Sequence, residues 1–236
     1  MAGTLLNVAA ILLGGALGLL LGARFPERMR QTITAGLGLF ILAMGVQMFL
    51  ATKNSLIVLG SVALGGVLGE LCRIEDRLLR LGQALETRFL KVTEQHEAES
   101  RFARGFLTTA LMFCVGPLAI LGPIQNGLTG NYQILAVKSI LDGLVSLAFA
   151  ASLGPGVLFS ALAVLVYQGG ISLLAAQANA VITDAMTAEL TAVGGVLIMG
   201  IAISGMLEIR KIRVGNLLPA LVIAPLIVAG LAFFQK

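Results

Sequence analysis

The chain has 236 residues, 58% of them hydrophobic and only 12% charged, with a mean hydropathy of +0.97. A soluble domain carries roughly 25% charged residues, so this composition excludes a water-facing surface over most of the molecule and points to lipid as the main solvent. The net charge of +4 and pI near 9.4 do not make a nucleic-acid binder, because the basic residues stand beside apolar runs, where they orient a membrane protein.

Crossing the hydrocarbon as a helix takes about 20 apolar residues. Eight such runs follow one another, at 3–22, 34–50, 55–71, 105–121, 134–153, 156–176, 190–207 and 217–234. The ten-residue alternation of a membrane β-barrel is absent, and backbone polar groups in lipid must then be paired inside helices. The first run lacks a basic leader and a small-residue cleavage site, so it reads as a retained span. The fold class is therefore all-α: a polytopic transmembrane bundle of about eight spans. The chain divides into three spans over 1–71, a cytoplasmic segment over 72–104, and five spans over 105–236, with a polar motif region at 108–172.

Lysine and arginine set the orientation. Arg24, Arg28 and Arg30 follow the first run. Arg73, Arg77, Arg80, Arg88, Lys91, Arg101 and Arg104 follow the third, and Arg210, Lys211 and Arg213 the seventh. With eight spans these thirteen share one face, against Lys53 and Lys236 on the other. The positive-inside rule then places both termini outside a bacterial cytoplasmic membrane. Within 72–104, Ile74, Leu78, Leu81, Leu85, Phe89 and Val92 recur at steps of three and four among charged neighbours. This predicts an amphipathic helix, which either pairs protomers into a homodimer or lies on the cytoplasmic leaflet. His96, in the polar stretch beyond it, reads as solvated.

A glycine motif recurs as Leu13-Gly14-Gly15-Ala16-Leu17-Gly18, Leu64-Gly65-Gly66-Val67-Leu68-Gly69 and Val193-Gly194-Gly195-Val196-Leu197. Tight helix contacts explain it more simply than an internal repeat. Polar residues concentrate further on. Gly116-Pro117 interrupts the fourth span, and Leu121-Gly122-Pro123-Ile124-Gln125-Asn126-Gly127-Leu128-Thr129-Gly130-Asn131 makes a continuous helix improbable there, giving a broken helix, a re-entrant turn or a polar loop. In the fifth span Lys138 and Asp142 stand one helical turn apart, with Ser139 and Ser146 beside them. A lone charge at this depth costs roughly 2.5–3.5 kcal/mol, so the pair either fixes helix register or serves a solute or proton site. Gln168 in the sixth span, like Asn7 in the first, suits a hydrogen bond between helices. Asn216 suits a cap for the last helix, which Pro219 and Pro225 would bend.

Protease, hydrolase and nucleotide-binding signatures are absent, as is any Cys/His metal spacing. The expectation is a protein that is not an enzyme and carries no cofactor or metal. The candidate solute or ion site comprises Gln125, Asn126, Lys138, Ser139, Asp142 and Gln168, between spans four and six. Its partners would be the lipid bilayer and a small solute or ion. The alternative is a non-transporting interaction or scaffold protein that uses segment 72–104.

These residues resemble the bacterial membrane family DUF554, the YdfK/YqgA-like proteins, along essentially the whole chain. The likeness runs through Gly3-Thr4-Leu5-Leu6-Asn7, Leu64-Gly65-Gly66-Val67-Leu68-Gly69-Glu70, Phe113-Cys114-Val115-Gly116, Ile124-Gln125, Lys138-Ser139, Leu141-Asp142-Gly143, Tyr167-Gln168-Gly169 and Val214-Gly215-Asn216-Leu217-Leu218-Pro219-Ala220. Family members often carry Asp where this chain has Asn126, and another acid near Asn131. If those acids bind a cation or proton, the resemblance implies that this chain binds it differently or uses Asp142 alone.

Overall fold

A computed structural model describes residues 1–90 and 101–234, and the readings of Lys91, Val92, His96 and Lys236 lie outside them. The described residues form helices α1 (Ala2–Gly22), α2 (Glu27–Phe49), α3 (Ser55–Cys72), α4 (Ile74–Leu90), α5 (Arg101–Cys114), α6 (Leu118–Thr129), α7 (Gln133–Leu153), α8 (Gly156–Leu173), α9 (Ala175–Val181), α10 (Asp184–Ile201) and α11 (Ala220–Phe234). There is no strand among them. The all-α membrane bundle is thus the observed class.

Among the described residues seven helical stretches are long and apolar enough to cross a membrane, and the pair α5–α6 makes an eighth if it counts as one span. At 1.5 Å per residue α5 and α6 are roughly 21 and 18 Å long, so neither covers a hydrocarbon core of about 30 Å alone. They meet at 60°. The break sits where the sequence places it: Gly116 has φ +122°, which a side chain would resist, and Pro117 stands at the N-cap of α6. Beyond the break the reading needs correction. The stretch around Gly122 and Pro123 is helical, with Pro123 inside α6, and membrane helices accommodate such a proline by local adjustment.

The chain forms two compact units, one of residues 1–36 and 79–178, the other of 37–78 and 179–236. In the first, α1 packs along α7 in the same direction. A Cβ on Gly14 would lie 2.1 Å from the Gly143 carbonyl oxygen, and one on Gly18 2.2 Å from that of Leu147. Ile11, Phe113, Ala161 and Val164 form the buried apolar centre, and the α8 start fits against α5 because Gly156 leaves room for the Phe102 carbonyl. Gly82 of α4 comes close to Ala103 of α5, while Leu81 is exposed.

In the second unit α3 runs against the last span in the opposite direction. Gly65 meets Ala220, and Gly69 lies so close to Asn216 that a Cβ would be 1.8 Å from its carbonyl oxygen. Gly45 and Gly195 make a further backbone-to-backbone contact between α2 and α10. One glycine motif therefore serves a parallel contact in α1 and an antiparallel one in α3, as expected of packing glycines. Polar groups are sealed at the helix ends. Glu189, 2% exposed, accepts from the Thr52 hydroxyl and the Lys53 and Asn54 amides at 2.6, 2.8 and 3.0 Å. Asn216 does not cap its own helix: its Oδ1 accepts from the Glu75 amide at 2.8 Å, and Glu75 accepts from the Gly215 amide at 2.8 Å. Glu70 receives Asn216 Nδ2 at 2.6 Å and pairs with Arg213.

Candidate functional site

The site lies within the first compact unit. Lys138 and Asp142 occupy successive turns of α7, and helical spacing brings Nζ to 2.5 Å from Asp142 Oδ2. Both residues are buried. The same carboxylate oxygen accepts from Asn7 Nδ2 on α1 at 2.9 Å, and that amide also reaches Gln168 Oε1 on α8 at 3.3 Å. Asn7 is therefore the hinge of the cluster, tying the ion pair on α7 to the amide on α8. The Phe113 ring of α5 lies 5.9 Å from Lys138 Nζ, with its π face toward the ammonium. One turn beyond Asp142, Ser146 donates to the Ile11 carbonyl oxygen at 2.9 Å, which fixes α1 in register against α7.

Donors and acceptors in this cluster are not all used. Asn7 Oδ1, Gln168 Nε2 and Thr4 Oγ1 are buried without a hydrogen-bond partner among the described residues, and Asn7, Gln168 and Thr4 are all 0% exposed. Orphaned groups of this kind cost about 1–3 kcal/mol each. Asn7, bonded to the Asp142 carboxylate, and Gln168, bonded to Asn7, leave the site a free acceptor and a free donor beside a compensated charge. That set can hold a small polar molecule, or exchange the Lys138 ammonium for another cation or a proton on Asp142.

The six residues singled out from the sequence do not form one cluster. Lys138, Asp142 and Gln168 are linked, with Asn7 as the bridge. Ser139 neighbours Lys138 but donates back to the Leu135 carbonyl oxygen at 2.6 Å, so its hydroxyl serves its own helix. Asn126 on α6 accepts from the Met1 ammonium at 2.9 Å and donates to the Gly130 carbonyl oxygen at 3.2 Å. Gln125 is half-buried with Oε1 unpartnered. Neither has a hydrogen bond to the Asp142 cluster. The first span, not the fourth, supplies the missing polar partner; the fourth contributes Phe113. A neutral asparagine at a buried helix position was the available signal for Asn7. Among the described residues no group of three His, Cys, Asp or Glu side chains is arranged to hold a metal.

Comparison with known proteins adds a family. The family described as "Protein of unknown function (DUF554)" matches residues 2–229. The chain is 33% identical over 235 residues to the "Uncharacterized protein YqgA" of Escherichia coli (strain K12), covering 98% of each chain. It is 32% identical over 232 residues to the "Uncharacterized membrane protein YdfK" of Bacillus subtilis (strain 168), covering 97% of this chain and 96% of that one. No solved structure matches.

Proposed function

The chain belongs to the DUF554 family, and from the geometry of its buried polar cluster we propose that it is an integral membrane transporter or channel for a small solute or ion. The observation that carries this is the pair of fully buried, unpartnered amide atoms, Asn7 Oδ1 and Gln168 Nε2, beside the Lys138–Asp142 pair. A cluster built only to hold helices together gains nothing from unmade hydrogen bonds, whereas a binding site needs unused donors and acceptors. Asp142 compensates the charge of what binds or carries its proton, Lys138 holds the carboxylate neutralised between events, and Gln168 and Asn7 supply neutral ligands. Gln125, Asn126 and Ser139 would line the approach. The role is not enzymatic and uses no cofactor. The working location is the bacterial cytoplasmic membrane, with both termini outside.

The second reading is a non-transporting interaction or scaffold protein, docking or dimerising through the α4 segment. The depth of the ion pair and the exposed Leu81 on α4 favour it. Liposome flux separates the two. Purified protein is reconstituted with an internal pH dye and challenged with proton, sodium, potassium and chloride gradients. The expectation is a protein-dependent flux that Asp142→Asn lowers at least about tenfold, a loss of roughly 1.4 kcal/mol or more, without loss of folding. A flux that Asp142→Asn leaves unchanged removes Asp142 from the mechanism, and no flux under any gradient favours the scaffold.

A further inference from the structure

The first compact unit carries a second feature, unconnected with Asp142. A cleft of about 270 Å³ opens between the end of α1, the start of α2 and the α7–α8 turn, lined by Leu19, Ala23, Arg30, Arg101, Ala151 and Pro155 among others. Its walls are apolar except for two guanidinium groups. Arg30 donates through Nη2 to the Gly22 carbonyl oxygen at 3.0 Å and through Nη1 to Glu27 at 3.3 Å, while its Nε is buried with no partner. Arg101 is held by the Ser152 carbonyl oxygen. Two cations thus line one cleft, and among the described residues the Glu27 carboxylate, outside the lining, bonds Arg30.

Two like charges held by backbone carbonyls around an empty volume are an arrangement that an anion relieves. The planar guanidinium fork matches a phosphate better than any other common anion apart from a carboxylate. The remaining lining selects further. Leu19, Ala23, Ala151 and Pro155 give a free sugar phosphate or nucleotide nothing to hydrogen-bond. Beside the cleft, Leu20 and Leu21 of α1 are 69% and 47% exposed on a membrane-spanning helix. A ligand here is anionic at the arginines and apolar along α1. We propose that this cleft binds the phosphodiester headgroup of an anionic phospholipid, with Arg30 and Arg101 on the phosphate and the acyl chains along the outer face of α1. Basic pockets between membrane helices commonly hold such headgroups.

The test uses the full chain purified in detergent, with thermal unfolding read as phosphatidylglycerol, phosphatidylcholine or inorganic phosphate is added. Phosphatidylglycerol at about a hundredfold excess over its Kd should raise the unfolding temperature by roughly 5–10 °C, and phosphatidylcholine should not. Arg30→Gln and Arg101→Gln should abolish the gain. Ala23→Leu should abolish it too, since it keeps both charges but fills the cleft, and it decides the matter if either arginine variant fails to fold. Arg210→Gln, which removes an exposed charge elsewhere, should keep the gain. If inorganic phosphate gives the full effect and the same variants lose it, the site takes free phosphate and the lipid assignment is wrong. An equal gain in every variant, or none in the unmodified protein, overturns the proposal.

Discussion

Asn7 and Glu189 show how single polar residues carry long-range structure here. Each is buried, and each gathers partners more than 130 positions away along the chain. For Glu189 the consequence is measurable. Its carboxylate satisfies two backbone amides and a hydroxyl at the α2–α3 turn, so Glu189→Ala should lower stability in a micellar unfolding assay by about 2–3 kcal/mol. Glu189→Gln, which keeps one acceptor oxygen, should restore part of that. Residues of this kind were only partly legible. Lys138 and Asp142 declare themselves by a spacing of four, because a helix converts that spacing into contact. Asn7 is visible as a buried amide, but its partners lie 135 and 161 residues on, and no local pattern encodes them. Glu189 stands just before an apolar run that starts at 190, so a hydropathy reading leaves it in the loop.

At the level of elements, apolar runs locate the spans well and their ends poorly. Helix α2 begins at Glu27, seven residues before the apolar run at 34, because the helical backbone continues through Arg28 and Arg30 into the interface. Helix α10 likewise starts at Asp184, capped by Thr183, and its far end loosens into π-helical turns over Ala202–Met206 that no proline or glycine pair announces. Breaks written in Gly-Pro are legible, as at Gly116-Pro117. Glycine contacts have a sharper test. Gly14→Ala puts a methyl 2.1 Å from a backbone oxygen, which should cost about 2–3 kcal/mol through displaced backbone. Gly60→Ala in α3 meets nothing within 4 Å and should be neutral or stabilising by up to about 1 kcal/mol. A pair of melting curves checks the contrast, and equal effects would remove the packing explanation of the glycine motif.

Over the whole molecule, neither compact unit is a continuous stretch of chain. Residues 37–78 of the second are inserted between the two parts of the first, and helices α2 and α4 each cross the boundary. The domain reading by sequence order, with a cytoplasmic segment between two blocks of spans, follows the polypeptide and carries no information on this interleaving. Contacts between distant helices decide it. Orientation is the global property that charge does predict. A membrane-impermeant maleimide applied to intact cells should label Lys53→Cys and should reach the exposed native Cys72 only after permeabilisation. The reverse pattern would invert the topology.

The placement of the ion pair also bears on how the protein is made. Lys138 and Asp142 lie on one helix, so they enter the bilayer together and already neutralised, and neither incurs the cost of a solitary charge. The partner that arrives from elsewhere, Asn7, is uncharged. At 5–20 residues per second the ribosome needs on the order of ten seconds to pass from Asn7 to Asp142. For that interval α1 waits in lipid with an amide to shield, where a carboxylate or ammonium would threaten its insertion. Order of synthesis gives a physical reason for a neutral side chain at position 7 and for both charges on α7.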